Sequence, residues 1–307
     1  SNTTASNNTA VGYQAGYSNT TGADMVAIGK AALKLATTGN GNTAVGNNAL
    51  TASTTSSNNT ALGDNAGAAN TTGANNTIIG KQALQANTTA SNNVAVGYLS
   101  LTANTTGTNN VAVGTTALDA ITTGNNSTAV GHTALSADTA GYNVGVGYAA
   151  GAGITSGTRN TAVGPAALQV ATTGTDSTAF GANALQQATT SSFNTGIGAY
   201  AGAAITTGTN NVALGYTALD ATTTGSNNTA LGTAALTTNT TGINNTAVGI
   251  QALDANTTGA ENIGIGSNAL GANTTADANV GIGGGALATN TTGASNVAIG
   301  RSSLNAN

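Results

Sequence analysis

One histidine, nine acidic side chains, a column of tyrosines and many threonines are the residues able to do chemistry in this 307-residue sequence. His132 stands alone, so a histidine-based triad or a multi-histidine metal site lacks its partners, and it reads as an exposed decoration. With no cysteine there is neither a thiolate metal site nor a disulfide framework. The acids are Asp24, Asp64, Asp119, Asp138, Asp176, Asp220, Asp254, Glu261 and Asp277. Asp119, Asp220 and Asp254 share one position, directly after a recurrent Leu. Asp220 and Asp254 fall two repeats apart, about 10 Å at the spacing of adjacent strands. That slightly exceeds the separation of an inverting glycosidase pair, about 6.5–9.5 Å, and no aromatic or basic residue flanks them. The acids therefore read as solvated surface charge. Gly283, Gly284 and Gly285 are not followed by the Lys-Ser/Thr of a phosphate loop. The Gly-Gly-x-Gly-x-Asp pattern of calcium-binding rolls is missing as well. No catalytic residue, cofactor site or metal site emerges, and the expectation is a non-enzyme without cofactors.

Tyr13, Tyr98, Tyr148 and Tyr216 all follow a recurrent glycine, at a position that elsewhere holds Lys30, Asp64, Lys81, His132 and Arg301. Such a position must be exposed. Exposed tyrosines stack on sugar rings or partner surfaces; these four are far apart and read first as packing or edge cover, and otherwise as the candidate contacts for a glycan or a host-surface receptor. Recurrent Thr-Thr pairs invite an ice-binding reading, but neighbouring threonines in a strand point to opposite faces, which halves any array. Asn-x-Thr sequons such as Asn70-Thr71-Thr72 and Asn104-Thr105-Thr106 arise from composition alone in a chain this rich in Asn and Thr. Where glycosylating machinery exists, they would allow dense glycan.

These residues sit on a repeat of about 17 residues. Its anchor is Thr/Val-Ala-Val/Ile/Leu-Gly, with the glycine recurring from Gly12 and Gly29 to Gly283 and Gly300. Every step is 17 except one of 16, from Gly131 to Gly147, whose missing residue falls between Gly141 and Asn143. No linker or composition shift interrupts it, so 1–307 reads as a single continuous repeat domain. Two helices do not fit such a unit, because glycine and β-branched residues weaken them. Short strands separated by glycine turns do fit. The expected fold is all-β: a β-solenoid, or parallel β-roll, of about 18 coils. At about 4.8 Å per coil it would extend on the order of 85 Å.

Side-chain alternation assigns the strand's faces. Its first and third residues, such as Val111 and Val113, share one face, and the small residue between them, such as Ala112, occupies the other. Both faces are non-polar, as in strands buried on both sides. The Val113 column is expected inside the coil and the small alanine face between subunits. The anchor glycine is expected at positive φ. The following Ala-Leu pair reads as a second short strand, and Thr-Thr-Gly as the return turn. Asn precedes the strand in 15 of 18 copies, which suits a hydrogen-bonded ladder.

Composition narrows function. Only 5% of residues are charged, net −4, which removes the basic footprint of nucleic-acid binding. It also excludes the highly charged disordered class. No apolar run reaches the 18 or more residues of a membrane span, so no membrane insertion is expected of this segment. The chain begins at Ser1 without an initiator Met or signal peptide and reads as a processed protein or as part of a longer one. Neither end, Ser1-Asn2-Thr3-Thr4 or Asn307, carries an obvious cap, and exposed end coils invite end-to-end growth.

The run Asn42 to Ala49, repeated at Asn245 to Ala252 and read as Asn-Thr-Ala-Val-Gly-Tyr-Gln-Ala at Asn8 to Ala15, resembles the head repeats of trimeric autotransporter adhesins. It is also similar to repeats of phage tail fibres and bacterial surface proteins. The resemblance covers essentially the whole chain. It implies a left-handed parallel β-roll, three chains side by side, and attachment to host matrix or cells, in an extracellular, cell-surface or virion setting. The adhesin repeat is shorter, near 14 residues, and the Thr-Thr-Gly segment is the extra length here. Within these 307 residues no coiled-coil stalk, membrane barrel or self-cleaving chaperone domain is read, which leaves the anchoring open. The expected function is thus a structural and adhesive fibre segment, a homotrimer. The alternatives are a self-assembling extracellular filament or matrix protein and, behind it, an ice-binding solenoid.

Overall fold

The computed structural model describes residues 4–305, so the terminal stretches Ser1 to Thr3 and Ala306 to Asn307, on which the expectation of uncapped ends rests, lie outside the described residues. The chain forms two compact units, 1–149 and 150–307. Among the described residues each carries nine three-residue strands, from Thr9–Val11 to Val144–Val146 in the first and from Thr161–Val163 to Val297–Ile299 in the second. Everything between the strands is turn and bend, without helix. Within a unit successive strands pair in parallel and in register, as Thr43↔Thr60, Ala44↔Ala61 and Val45↔Leu62 in the first, or Thr178↔Thr195 in the second. The fold is therefore a parallel β-solenoid with one short strand per 17-residue coil.

The faces of the strand are the reverse of the expected ones. Ala44, Ala112 and Ala213, the middle residues, are completely buried, whereas Val113 and its equivalents point outward. Alternation says which residues share a face, and size decides which face is inside. The interior beneath the strand is already filled by the Leu column. A side chain added to Gly196 would lie 2.8 Å from Leu185 Cγ, and one added to Gly264 would lie 3.1 Å from Leu253 Cγ. The inner strand position thus has room for Ala or Gly beside the Leu of the preceding coil.

The one large residue at that position supports this account. Ile78 is fully buried, and it fills space left by Gly67, which replaces Leu in the coil before. A Cβ on Gly67 would sit 2.7 Å from Ile78 Cδ1. At Gly202 the space is taken instead from within the same coil, by Ile205, whose Cδ1 lies 2.9 Å from the corresponding point.

The Ala-Leu segment is not the second strand expected from sequence. It is a turn in which Leu adopts the left-handed region, at φ 49° in Leu33 and 54° in Leu118, as does the residue two positions earlier, Ala31 or Thr116. Leucine at positive φ is costly. Burial of its side chain and its backbone hydrogen bonds, such as Leu33 N–H to Ala49 O at 3.0 Å, offset the cost. The anchor glycine is needed for two reasons: φ is +140° at Gly114, and a Cβ there would lie 2.3 Å from Gly131 O.

The 16-residue step also falls elsewhere than the sequence suggests. Gly141 bridges Asn125, and Tyr142 N–H donates to Asn125 O, so the residues just before the strand keep their usual places. The missing residue therefore belongs to the Thr-Thr pair, between Asp138 and Ala140. Asp138 closes the shortened turn and is completely buried, contrary to the expectation of a solvated acid. Its Oδ1 accepts from Ala140 N–H at 3.0 Å and Gly141 N–H at 3.2 Å, and its Oδ2 from Ser127 Oγ at 3.1 Å.

Candidate interaction surfaces

Most polar side chains are consumed internally. The Asn before each strand forms the expected ladder: Asn59 Nδ2 donates to Asn42 Oδ1 at 3.2 Å and to Gly73 O at 2.9 Å, and Asn59 N–H donates to Asn42 Oδ1 at 3.0 Å. In the second unit Asn228 repeats this toward Asn211 and Gly242. A second amide column, three residues past the Leu position, escaped the sequence reading. Asn87 Nδ2 donates to Asn70 Oδ1 at 2.8 Å and to Ala90 O at 3.0 Å, and Asn256 to Asn239 Oδ1 at 2.9 Å. Ile, Ala, Ser, Thr and Asp interrupt this column, which hid its regularity. Where Ile121 interrupts it, Asn104 Oδ1 is buried without a partner.

This second column disposes of the two quoted sequons as glycan sites on the folded chain. Asn70 and Asn104 are fully buried, and their amide nitrogens are committed to Gly73 O and Gly107 O. The first Thr of most pairs is committed too: Thr105 Oγ1 donates to Thr122 O at 3.0 Å, and Thr172 Oγ1 to Thr189 O at 2.8 Å. Only the second Thr, such as Thr106, leaves its side chain at the surface.

Tyr13, Tyr98, Tyr148 and Tyr216 are exposed, as expected. The structure does not gather them into one site. Tyr148 stacks on His132, with ring centroids 5.7 Å apart, and Tyr216 meets Tyr200 edge-on at 6.4 Å. Tyr13 and Tyr98 contact no other ring among the described residues. Asp119, Asp220 and Asp254 are half-buried beside the Leu column, and desolvation raises each carboxyl above its ordinary range. Arg159 and Asp176 form an exposed two-pronged ion pair, Nε to Oδ1 at 2.6 Å and a second nitrogen to Oδ2 at 2.8 Å. Arg159 holds the Asp176 carboxyl below its ordinary range.

The outward strand face continues from coil to coil through each unit. The first unit presents Val11, Ile28, Leu62, Ile79 and Val130; the second presents Phe180, Ile197, Leu214, Leu231, Ile265 and Ile299, all exposed. Beside them runs a row of Thr, Val and Ile, including Thr60, Val212 and Ile263. No charged residue occurs in either row. Exposed contiguous apolar surface of this kind marks interaction sites. Among the described residues there is no cluster of acids and histidines placed to hold a metal, and no helix long and apolar enough to cross a membrane.

No protein-family model matches the chain, and no curated protein matches it by sequence.

Proposed function

We propose that this chain is a structural and adhesive segment of an extracellular fibre, of the kind found in bacterial surface adhesins or phage tail fibres. In this reading, copies of the chain pack side by side through the outward strand face as a homotrimer. One observation carries the reading: within each unit, every coil adds two uncharged, mostly apolar side chains to that unit's outward face. A thin solenoid whose interior is built mainly of Ala, Leu and Asn amides gains burial, at about 25 cal/mol per Å², by covering such a face. The role is structural, with no catalytic group; the remaining sides of the coil, including Tyr13, Tyr98, Tyr148 and Tyr216, are left free to meet a glycan or receptor.

Light scattering on the purified chain tests this. Three times the 29.0 kDa chain mass is expected. A single chain mass would overturn it, and an open-ended distribution would transfer the conclusion to an end-to-end filament.

A further inference from the structure

The outward face of the second unit is nearly uniform along the stack. Its third-residue row reads Val163, Phe180, Ile197, Leu214 and onward, and Phe180 is the one aromatic residue in it. Phe180 lies in the ladder between Val163 and Ile197, and it is 57% exposed against 38% for Ile197.

A second copy of this chain is the occupant that fits the face. A partner must present apolar side chains at the coil spacing, about 4.8 Å, with no charge opposite an uncharged surface, and this chain does both. Nine strands with two outward side chains each approach the 20–30 residues per side, roughly, of a stable interface. Uniformity, however, leaves register poorly specified. Copies displaced by one coil would meet nearly the same surface as aligned copies. A single exceptional side chain removes such degeneracy, as one polar residue does in a coiled-coil seam.

We infer that Phe180 sets the register between copies, a conclusion that rests on the side-by-side packing proposed above. Aligned copies bring their Phe180 rings to a common level, where they pack on one another. A one-coil slip sets each ring against Val163 or Ile197 of its neighbour, creating a gap at one level and crowding at the next. The one-residue deletion near Asp138 does not serve as the mark, because the strand ladder passes it in register, Thr128↔Val144.

The chain has no cysteine, so Thr233→Cys chains and Arg301→Cys chains, each changed at an exposed position, carry one spin label apiece. In a mixture of the two, unlike labels on neighbouring copies lie four coils apart along the stack, about 19 Å, and pulsed dipolar spectroscopy is expected to give one narrow distance between them. With Phe180→Val in both chains, a coil-sized slip of about 4.8 Å lengthens or shortens that oblique distance, so further distances are expected, while Phe180→Tyr restores the single distance. An unchanged single distance in the Phe180→Val chain, with unchanged native mass and circular dichroism, would overturn the role of Phe180 alone. A native mass of one chain before any change at Phe180 would overturn the packing itself, and the inference with it.

Discussion

Ser127 Oγ lies 3.1 Å from Asp138 Oδ2, both side chains fully buried, and the same hydroxyl oxygen accepts from Asn143 N–H at 3.2 Å. This pair seals the coil that lacks one residue. Asp138→Ala strands two backbone N–H groups and the hydroxyl, and is expected to cost about 2–4 kcal/mol. Asp138→Asn keeps an acceptor for the backbone and is expected to cost about 1 kcal/mol. Urea denaturation followed by circular dichroism measures both, and equal losses would contradict the sealing role.

Gly67 and Ile78 exchange volume between consecutive coils. Ile78→Ala is expected to cost about 2–4 kcal/mol by cavity formation, and Gly67→Leu about 1–3 kcal/mol or more by overpacking. The double variant restores the common Leu-over-Ala pairing and should recover most of the loss. Additive effects in the double-mutant cycle would refute the pairing.

The two strand faces separate folding from association. Ala112→Asp places an unpaired charge in the interior and is expected to unfold its neighbourhood. Val113→Asp leaves the isolated coil within about 1 kcal/mol of its stability but abolishes association through the outward face. Melting curves and native mass, recorded side by side, distinguish these outcomes.

The Thr-Thr pairs divide similarly. Thr105→Val removes the hydroxyl that bonds Thr122 O and is expected to cost about 1 kcal/mol. Thr106→Val, at the exposed member, should stay within about 0.5 kcal/mol. A thermal melt that ranks them the other way would invert the assignment.

Asp220 and Asp254 are both raised by desolvation, so folding favours their protonated forms. Their favourable contribution is complete below the ordinary carboxylate value of 3.8 and is lost as pH rises through the higher folded value. Asp220→Asn with Asp254→Asn is therefore expected to raise stability at neutral pH, the gain vanishing in acid. A gain independent of pH would exclude desolvation as its source.

The sequence made the coil legible wherever one residue type answers one local demand. The anchor glycine satisfies a positive φ and a close carbonyl, and Asn before the strand satisfies the ladder, so both recur and both are found. The strand's inside and outside were not legible, because Ala112 and Val113 are both apolar and the decision lies in how much room Leu leaves. The left-handed Leu was masked by its own chemistry, since leucine argues against positive φ. Gly16, Gly67, Gly151 and Gly202, which share its position and its φ near 60°, were the signal. The Asp138 seal follows from a local register that only the fold supplies. Of the surface, the exposure of the tyrosine column was readable, but the pairing of Tyr216 with Tyr200 was not.

The threonine ladder and the second amide column run with opposite polarity. Each committed threonine hydroxyl donates toward the following coil, as Thr88 to Thr105 O, whereas the amides of the second column donate toward the preceding one, as Asn87 to Asn70 and Asn273 to Asn256. An α-helix aligns its dipoles and acquires charged ends; here the two ladders oppose one another wherever a coil carries both, as at Asn87 and Thr88. Copies laid side by side and pointing the same way therefore meet less end-to-end electrostatic repulsion from this source than a parallel bundle of helices would. Nothing in the ladders themselves penalises a parallel arrangement, however many coils are added.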